Sequence, residues 1–116
     1  MLFFLPLGTY VEVVVDVGQD SVIISQCALK TAYPANMLPL GENVTKGDRK
    51  LVLKVSYGQV ELAILVKQDI GIGRCVLRTD YLSEDIPKNT ELAIEIDLID
   101  ENNERVAEDE TVLTYK

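Results

Sequence analysis

Between Tyr10 and Val17, apolar side chains stand at Val11, Val13, Val15 and Val17, with Glu12 and Asp16 opposite them. A period of two puts the two sets on opposite faces of a pleated chain, which predicts a half-buried β-strand. Gly18-Gln19-Asp20 turns the chain, and Ser21 to Leu29 predicts a second strand. From Lys30 to Lys50 the pattern lapses, broken by Pro34, Pro39, Gly41 and Gly47. A connection of about twenty residues is long for a compact domain, so a short strand is expected inside it, near Met37 to Val44.

Alternation resumes at Leu51, Leu53, Val55 and Tyr57, turns at Gly58-Gln59, and returns at Val60, Leu62, Ile64 and Val66. Two such runs separated by two residues, one of them glycine, predict a β-hairpin. Asp69 to Gly73 breaks the run before a short strand at Arg74 to Thr79, and Asp80 to Asn89, with Pro87, reads as loop. Leu92, Ile94, Ile96 and Leu98 alternate again, Asp100 to Glu104 turns, and Arg105 to Tyr115 predicts the last strand. About seven or eight short strands with no helical periodicity imply an all-β, antiparallel sandwich or barrel. No repeat or shift in composition divides the chain, so residues 1–116 are expected to form one domain.

Composition supports this reading. Hydrophobic residues make up 47% of the 116, which excludes disorder by composition. They are mostly Val, Ile and Leu, and β-branched side chains suit pleated, half-buried surfaces. The net charge is −8, so phosphate backbones repel the chain and nucleic acid is not expected as a partner. Acid collects in the last third, including Glu91, Glu95, Asp97, Glu108, Asp109 and Glu110, which reads as a solvated sheet face or as a patch for a basic partner. The apolar start, Met1 to Gly8, has no basic leader and is interrupted by Pro6, so neither a signal peptide nor a membrane span is expected.

The chain has no histidine, which removes the usual general base and the usual metal ligand. Ser21, Ser25, Ser56 and Ser83 therefore lack a base to activate them, and no catalytic residue, metal site or cofactor is expected. Gly71-Ile-Gly73 lacks the third glycine, the lysine and the helix of a phosphate loop and reads as a turn. Cys27 and Cys75 read as two buried free thiols, with a disulfide left open if their strands are adjacent. Free thiols point to a reducing, cytoplasmic setting.

Three stretches together resemble the β-sandwich peptide-binding domain of the 70-kDa, DnaK-type heat-shock chaperones. Leu5-Pro-Leu7 followed by an alternating strand and Gly18 is similar to that family's opening. Lys30-Thr-Ala-Tyr-Pro34, followed by Leu51 to Gly58, resembles its next segments. Gly73 to Leu77, Ile86-Pro-Lys88 and Ala93 to Asp100 are similar to its later strands. The order and spacing agree over nearly the whole chain, although the acidic-leucine interdomain linker is missing and Gln59-Val-Glu61 and Glu101 to Glu104 depart from the pattern. The nucleotide-binding domain and helical lid of that family lie outside this sequence, so the resemblance implies an excised portion of a larger chaperone-like protein.

The resemblance implies a partner, an extended apolar polypeptide segment held in a channel at one pole of the sandwich. It places the peptide-binding pocket at Val15, Val17, Val44, Leu51, Leu53 and Ile94, with Glu42 and Asp48 bordering the cleft. Read from the residues alone, all six are also plain core positions of alternating strands. The other class open to this sequence is an immunoglobulin-like structural or adhesion module that binds a protein through a sheet edge or face. The Trp-on-disulfide hallmark of that class is absent.

Overall fold

The computed structural model describes residues 8–31, 41–82, 86–87 and 89–114. Seven strands carry the fold: β1 (Tyr10–Val17), β2 (Val22–Lys30), β3 (Lys46–Tyr57), β4 (Val60–Ile70), β5 (Gly73–Arg78), β6 (Glu91–Ile99) and β7 (Arg105–Thr114). They form two antiparallel sheets with strand orders β2-β1-β5 and β4-β3-β6-β7. The expected all-β, antiparallel sandwich is therefore present. Of the short strand expected near Met37 to Val44, residues 37–40 lie outside the described residues and Gly41 to Val44 are not in a strand; Leu5 to Leu7 of the opening motif and Tyr115 also lie outside the described residues.

Strand boundaries differ most around the hairpin. The β3 strand begins at Lys46 rather than Leu51, and β4 runs on to Ile70 rather than stopping at Val66. The extension departs from simple alternation because the register shifts twice, between Lys46 and Arg49 and between Arg49 and Leu51. Arg49 holds this irregular stretch in place: its guanidinium donates to the carbonyls of Gly18 and Gln19 and, at 2.6 Å, to that of Gly71. Gly47 and Gly71 pass so closely that a Cβ on Gly47 would sit 2.7 Å from the Gly71 Cα. The turn at Gly58 has φ +59°, the left-handed value a two-residue hairpin of type II′ needs at its first turn position.

The core lies between the sheets. Val11, Val13, Val15 and Val17 of β1 face Leu51, Leu53 and Val55 of β3 and the row Leu92, Ile94, Ile96 and Leu98 of β6, all in one buried cluster. Full burial of each Val, Leu or Ile gives about 1.5–3 kcal/mol, and this cluster is the main source of stability. β1 is less exposed than its alternation implies, because Tyr10, Glu12 and Val14 on its other face are buried as well. Glu12 is tolerated there because its carboxylate accepts from Arg78 Nε at 2.8 Å across the β1–β5 ladder. Tyr10 meets the Tyr81 ring edge-on, with centroids 6.1 Å apart.

Candidate functional site

The six pocket residues are brought together, but as interior. Val15, Val17, Leu51, Leu53 and Ile94 are at most 3% exposed and pack on one another between the sheets. Val44 is half-buried and packs against the same cluster. A guest side chain has no access to the five core positions in this conformation. The alternation that drew attention to them marks the inward face of β1, β3 and β6.

A two-sheet sandwich has edges, and an unpaired edge offers backbone N–H and C=O groups to any passing strand. Here the edges are treated very differently. Along β5, the segment Glu42 to Thr45 lies where a further strand would be. The amides of Asn43 and Val44 both donate to the Arg74 carbonyl at 3.0 Å, and that of Thr45 to the Ile72 carbonyl at 2.8 Å. Side chains complete the cover: Asn43 Oδ1 accepts from the Arg74 amide at 2.7 Å, and Glu42 Oε2 accepts from the Val76 amide at 2.8 Å and from Lys67 Nζ at 3.3 Å. Burial alone would raise the Glu42 carboxyl, but the Val76 N–H and the Lys67 ammonium outweigh it and hold it below its ordinary value of 4.5. Glu42, expected to border a peptide cleft, instead closes the flank between β5 and β4. Asp48 stays exposed.

On the opposite flank, β2 carries a bulge at Ser25, and the neighbouring Ile24 amide donates to Asp109 Oδ2 of β7 at 2.8 Å. The bulge twists the edge and the carboxylate occupies one of its donors. β7 itself is guarded by the successive charges Glu108, Asp109 and Glu110. Among the described residues, three edges are thus capped, bulged or charged.

The outer edge of β4 carries a bulge at Leu62 but is not covered. Besides its ladder to β3, no backbone hydrogen bond reaches Val60–Gln68 from the described residues. Between Glu61 and Lys67 stand five uncharged residues, Leu62 to Val66. Val60, Ile64 and Val66 are 44, 53 and 47% exposed. On the outer face, Val66 lies opposite Val52 and Ile64 opposite Lys54. Sequence reasoning assigned these residues to a hairpin and went no further. The signal was present: Leu62-Ala-Ile-Leu-Val66 has no polar residue on either face, which a solvated edge strand should have.

Farther across the same sheet the outer face is acidic. Glu95 is directly opposite Glu110, and Asp97 opposite Glu108. Arg105, 2.9 Å from Glu108 and 3.8 Å from Asp97, relieves them together with Lys54, which lies opposite Glu95 on β3. Asp97 is pushed above its ordinary value by burial first, with Glu108 and Glu95 adding to the effect and Arg105 opposing it. Like charges opposite one another destabilise a ladder, so this face is built for water rather than for packing on a second acidic surface.

The two cysteines are free, and β1 lies between their strands. Cys27 opposes Val13 and Cys75 opposes Val15 from the other side. Two strand spacings separate them by roughly 9–10 Å, beyond the ~7 Å that a disulfide can span. Burial raises the Cys27 thiol to about 11. No group of three or more Cys, Asp or Glu side chains among the described residues is placed to hold a metal ion. No helix among them is long and apolar enough to cross a membrane.

Compared with protein-family models, with curated proteins and with solved structures, the chain matches none.

Proposed function

We propose that this domain is a non-catalytic protein-interaction module that accepts an extended strand from a partner polypeptide along the outer edge of β4. One observation carries the reading: among the described residues no backbone hydrogen bond covers the outer edge of β4, and it presents Val60, Ile64 and Val66 to solvent. Strand addition uses such an edge, with main-chain hydrogen bonds supplying affinity and alternate side-chain contacts supplying preference. The ligand class is the one the chaperone resemblance implies, an extended apolar segment. Its place is the sheet edge, because the channel residues Val15, Val17, Leu51, Leu53 and Ile94 are core.

Strand order supports the immunoglobulin-like alternative as the nearer architecture. The order β4-β3-β6-β7 is that of the C′-C-F-G strands in variable-type immunoglobulin sandwiches. The second sheet departs from that plan, with β1 at its centre where those domains place their second strand. A reaction chemistry has no support in a chain without histidine.

The test is a labelled nine-residue peptide alternating Val and Thr, titrated into the isotopically labelled domain. Chemical-shift changes confined to β4 and the outward residues of β3, saturating in the micromolar range, are the expected result. Saturable changes centred on the loops around Val44, or none at all at several hundred micromolar peptide, would overturn it.

A further inference from the structure

Resting on that reading, we infer that Glu42 is a positioning residue for strand acceptance. It keeps the edge of β4 open by balancing the charge of Lys67, the side chain placed to guard that edge.

The accessible stretch is short. The β3–β4 ladder is regular from Ala63 to Lys67, between the bulge at Leu62 and the register shift beyond Lys67. Ala63, Ile64, Leu65 and Val66 are apolar, and Lys67 is the only charged residue in this window. Lys67 lies opposite Leu51, which is fully buried, so its side chain is on the inner face of the sheet. An inward-pointing charge on an edge strand works against pairing, because an added strand covers the charged group and strips it of water. By type and place alone, Lys67 should close this edge.

Its charge is balanced from within the chain. Glu42 Oε2 is 3.3 Å from Lys67 Nζ, and among the described residues no other ion pair reaches this lysine. The same carboxylate oxygen accepts from the Val76 amide at 2.8 Å, which draws the pair toward β5 and away from the outer edge of β4. Held below its ordinary value of 4.5, the Glu42 carboxyl is ionised at neutral pH. Its other cationic neighbour, Arg78, is committed to Glu12 at 2.8 Å. Cys75 lies beside the pair, and burial raises its thiol, so it stays neutral and supplies no competing charge.

A strand laid along β4 therefore covers a matched pair and not a lone ammonium. Removing one partner of a covered pair leaves an unpaired charge and is strongly unfavourable, whereas removing both is near neutral. Loss of the Glu42 charge thus restores Lys67 as a guard, although Glu42 itself belongs to the cover of β5. Loss of both side-chain charges opens the edge again.

The test uses the full chain and the Val/Thr nonapeptide, labelled and followed by fluorescence anisotropy well below the melting temperature of each variant. Glu42→Gln keeps an acceptor for the Val76 amide and loses the charge, and it should weaken binding about tenfold. Lys67→Met should bind at least as tightly as wild type. Glu42→Gln/Lys67→Met should return to within about twofold of wild type, a rescue that simple damage to the β5 cover would not permit. Equal binding by wild type and Glu42→Gln, a double variant as weak as Glu42→Gln, or a Lys67→Met weaker than wild type would overturn the inference and leave the edge reading standing. A wild-type chain that binds no peptide removes both.

Discussion

Replacing Glu42 with alanine isolates the device that closes the β5 flank. Two interactions disappear: the carboxylate's bond to the Val76 amide at 2.8 Å and its ion pair with Lys67 at 3.3 Å. The ion pair is partly exposed, 39% at Lys67, and at such sites it stabilises by only about 0–0.5 kcal/mol. The bond to the amide is charge-assisted, and losing it leaves a backbone donor on a strand edge, so it dominates at about 1–2 kcal/mol. For a domain of this size that is a fall in melting temperature of roughly 5 °C. Three variants therefore order themselves, with Glu42→Ala the most destabilised, Glu42→Gln intermediate because an acceptor remains, and Lys67→Met closest to wild type. Because Glu42 titrates below its ordinary 4.5 in the fold, its contribution is fully present above that value. It is lost as pH falls through the lower folded value, so the gap between wild type and Glu42→Ala closes in acid. Thermal melts followed by circular dichroism at pH 7 and at pH 3 measure both effects. Equal melting temperatures at pH 7, or a Lys67→Met loss matching that of Glu42→Ala, would refute the reasoning.

Asp97→Asn should raise stability by a few tenths of a kcal/mol at pH 7, because it removes one acid from a like-charged block. The Asp97 carboxyl is raised in the fold, so wild type loses stability as pH rises through that value, and the difference from the variant should vanish at low pH in urea titrations. Gly71→Ala should destabilise by about 2 kcal/mol or more, because a Cβ there would meet the carbonyl oxygens of Thr45 at 2.8 Å and Lys46 at 3.0 Å, which are backbone and cannot move aside. Leu53→Ala should lower unfolding free energy by about 2–5 kcal/mol, and Val44→Ala by about 1 kcal/mol or less, by denaturant titration. Equal losses at the two positions would show that the loop residue belongs to the core as fully as the strand residue.

The period-two pattern carried most of the fold. Val11 to Val17, Leu51 to Tyr57 and Leu92 to Leu98 all sit on strands with the inward face as expected, because alternation is itself the imprint of a one-sided core. The start of β3 was not legible. Its first residues are Lys46-Gly-Asp-Arg-Lys50, and they are extended because Arg49 reaches carbonyls as distant in sequence as Gly18 and Gly71. The candidate site was ambiguous for a related reason. Alternation identifies which residues share a face and does not say whether that face meets another sheet or a ligand, so Val15, Leu53 and Ile94 could be read either way. Edge status depends on strand order, which is a long-range property. Nothing local marks Glu42 as the acceptor for Val76, thirty-four positions away. Only the uncharged run Leu62 to Val66 hinted at what β4 leaves open.

Amide hydrogen exchange by nuclear magnetic resonance tests most directly whether the molecule covers some edges and leaves that of β4 open. The Val76 and Ile24 amides, held by Glu42 and Asp109, should be protected. The alternate β4 amides that point away from β3 should exchange freely. Free exchange at Val76 and Ile24, or slow exchange of those β4 amides, would contradict the account.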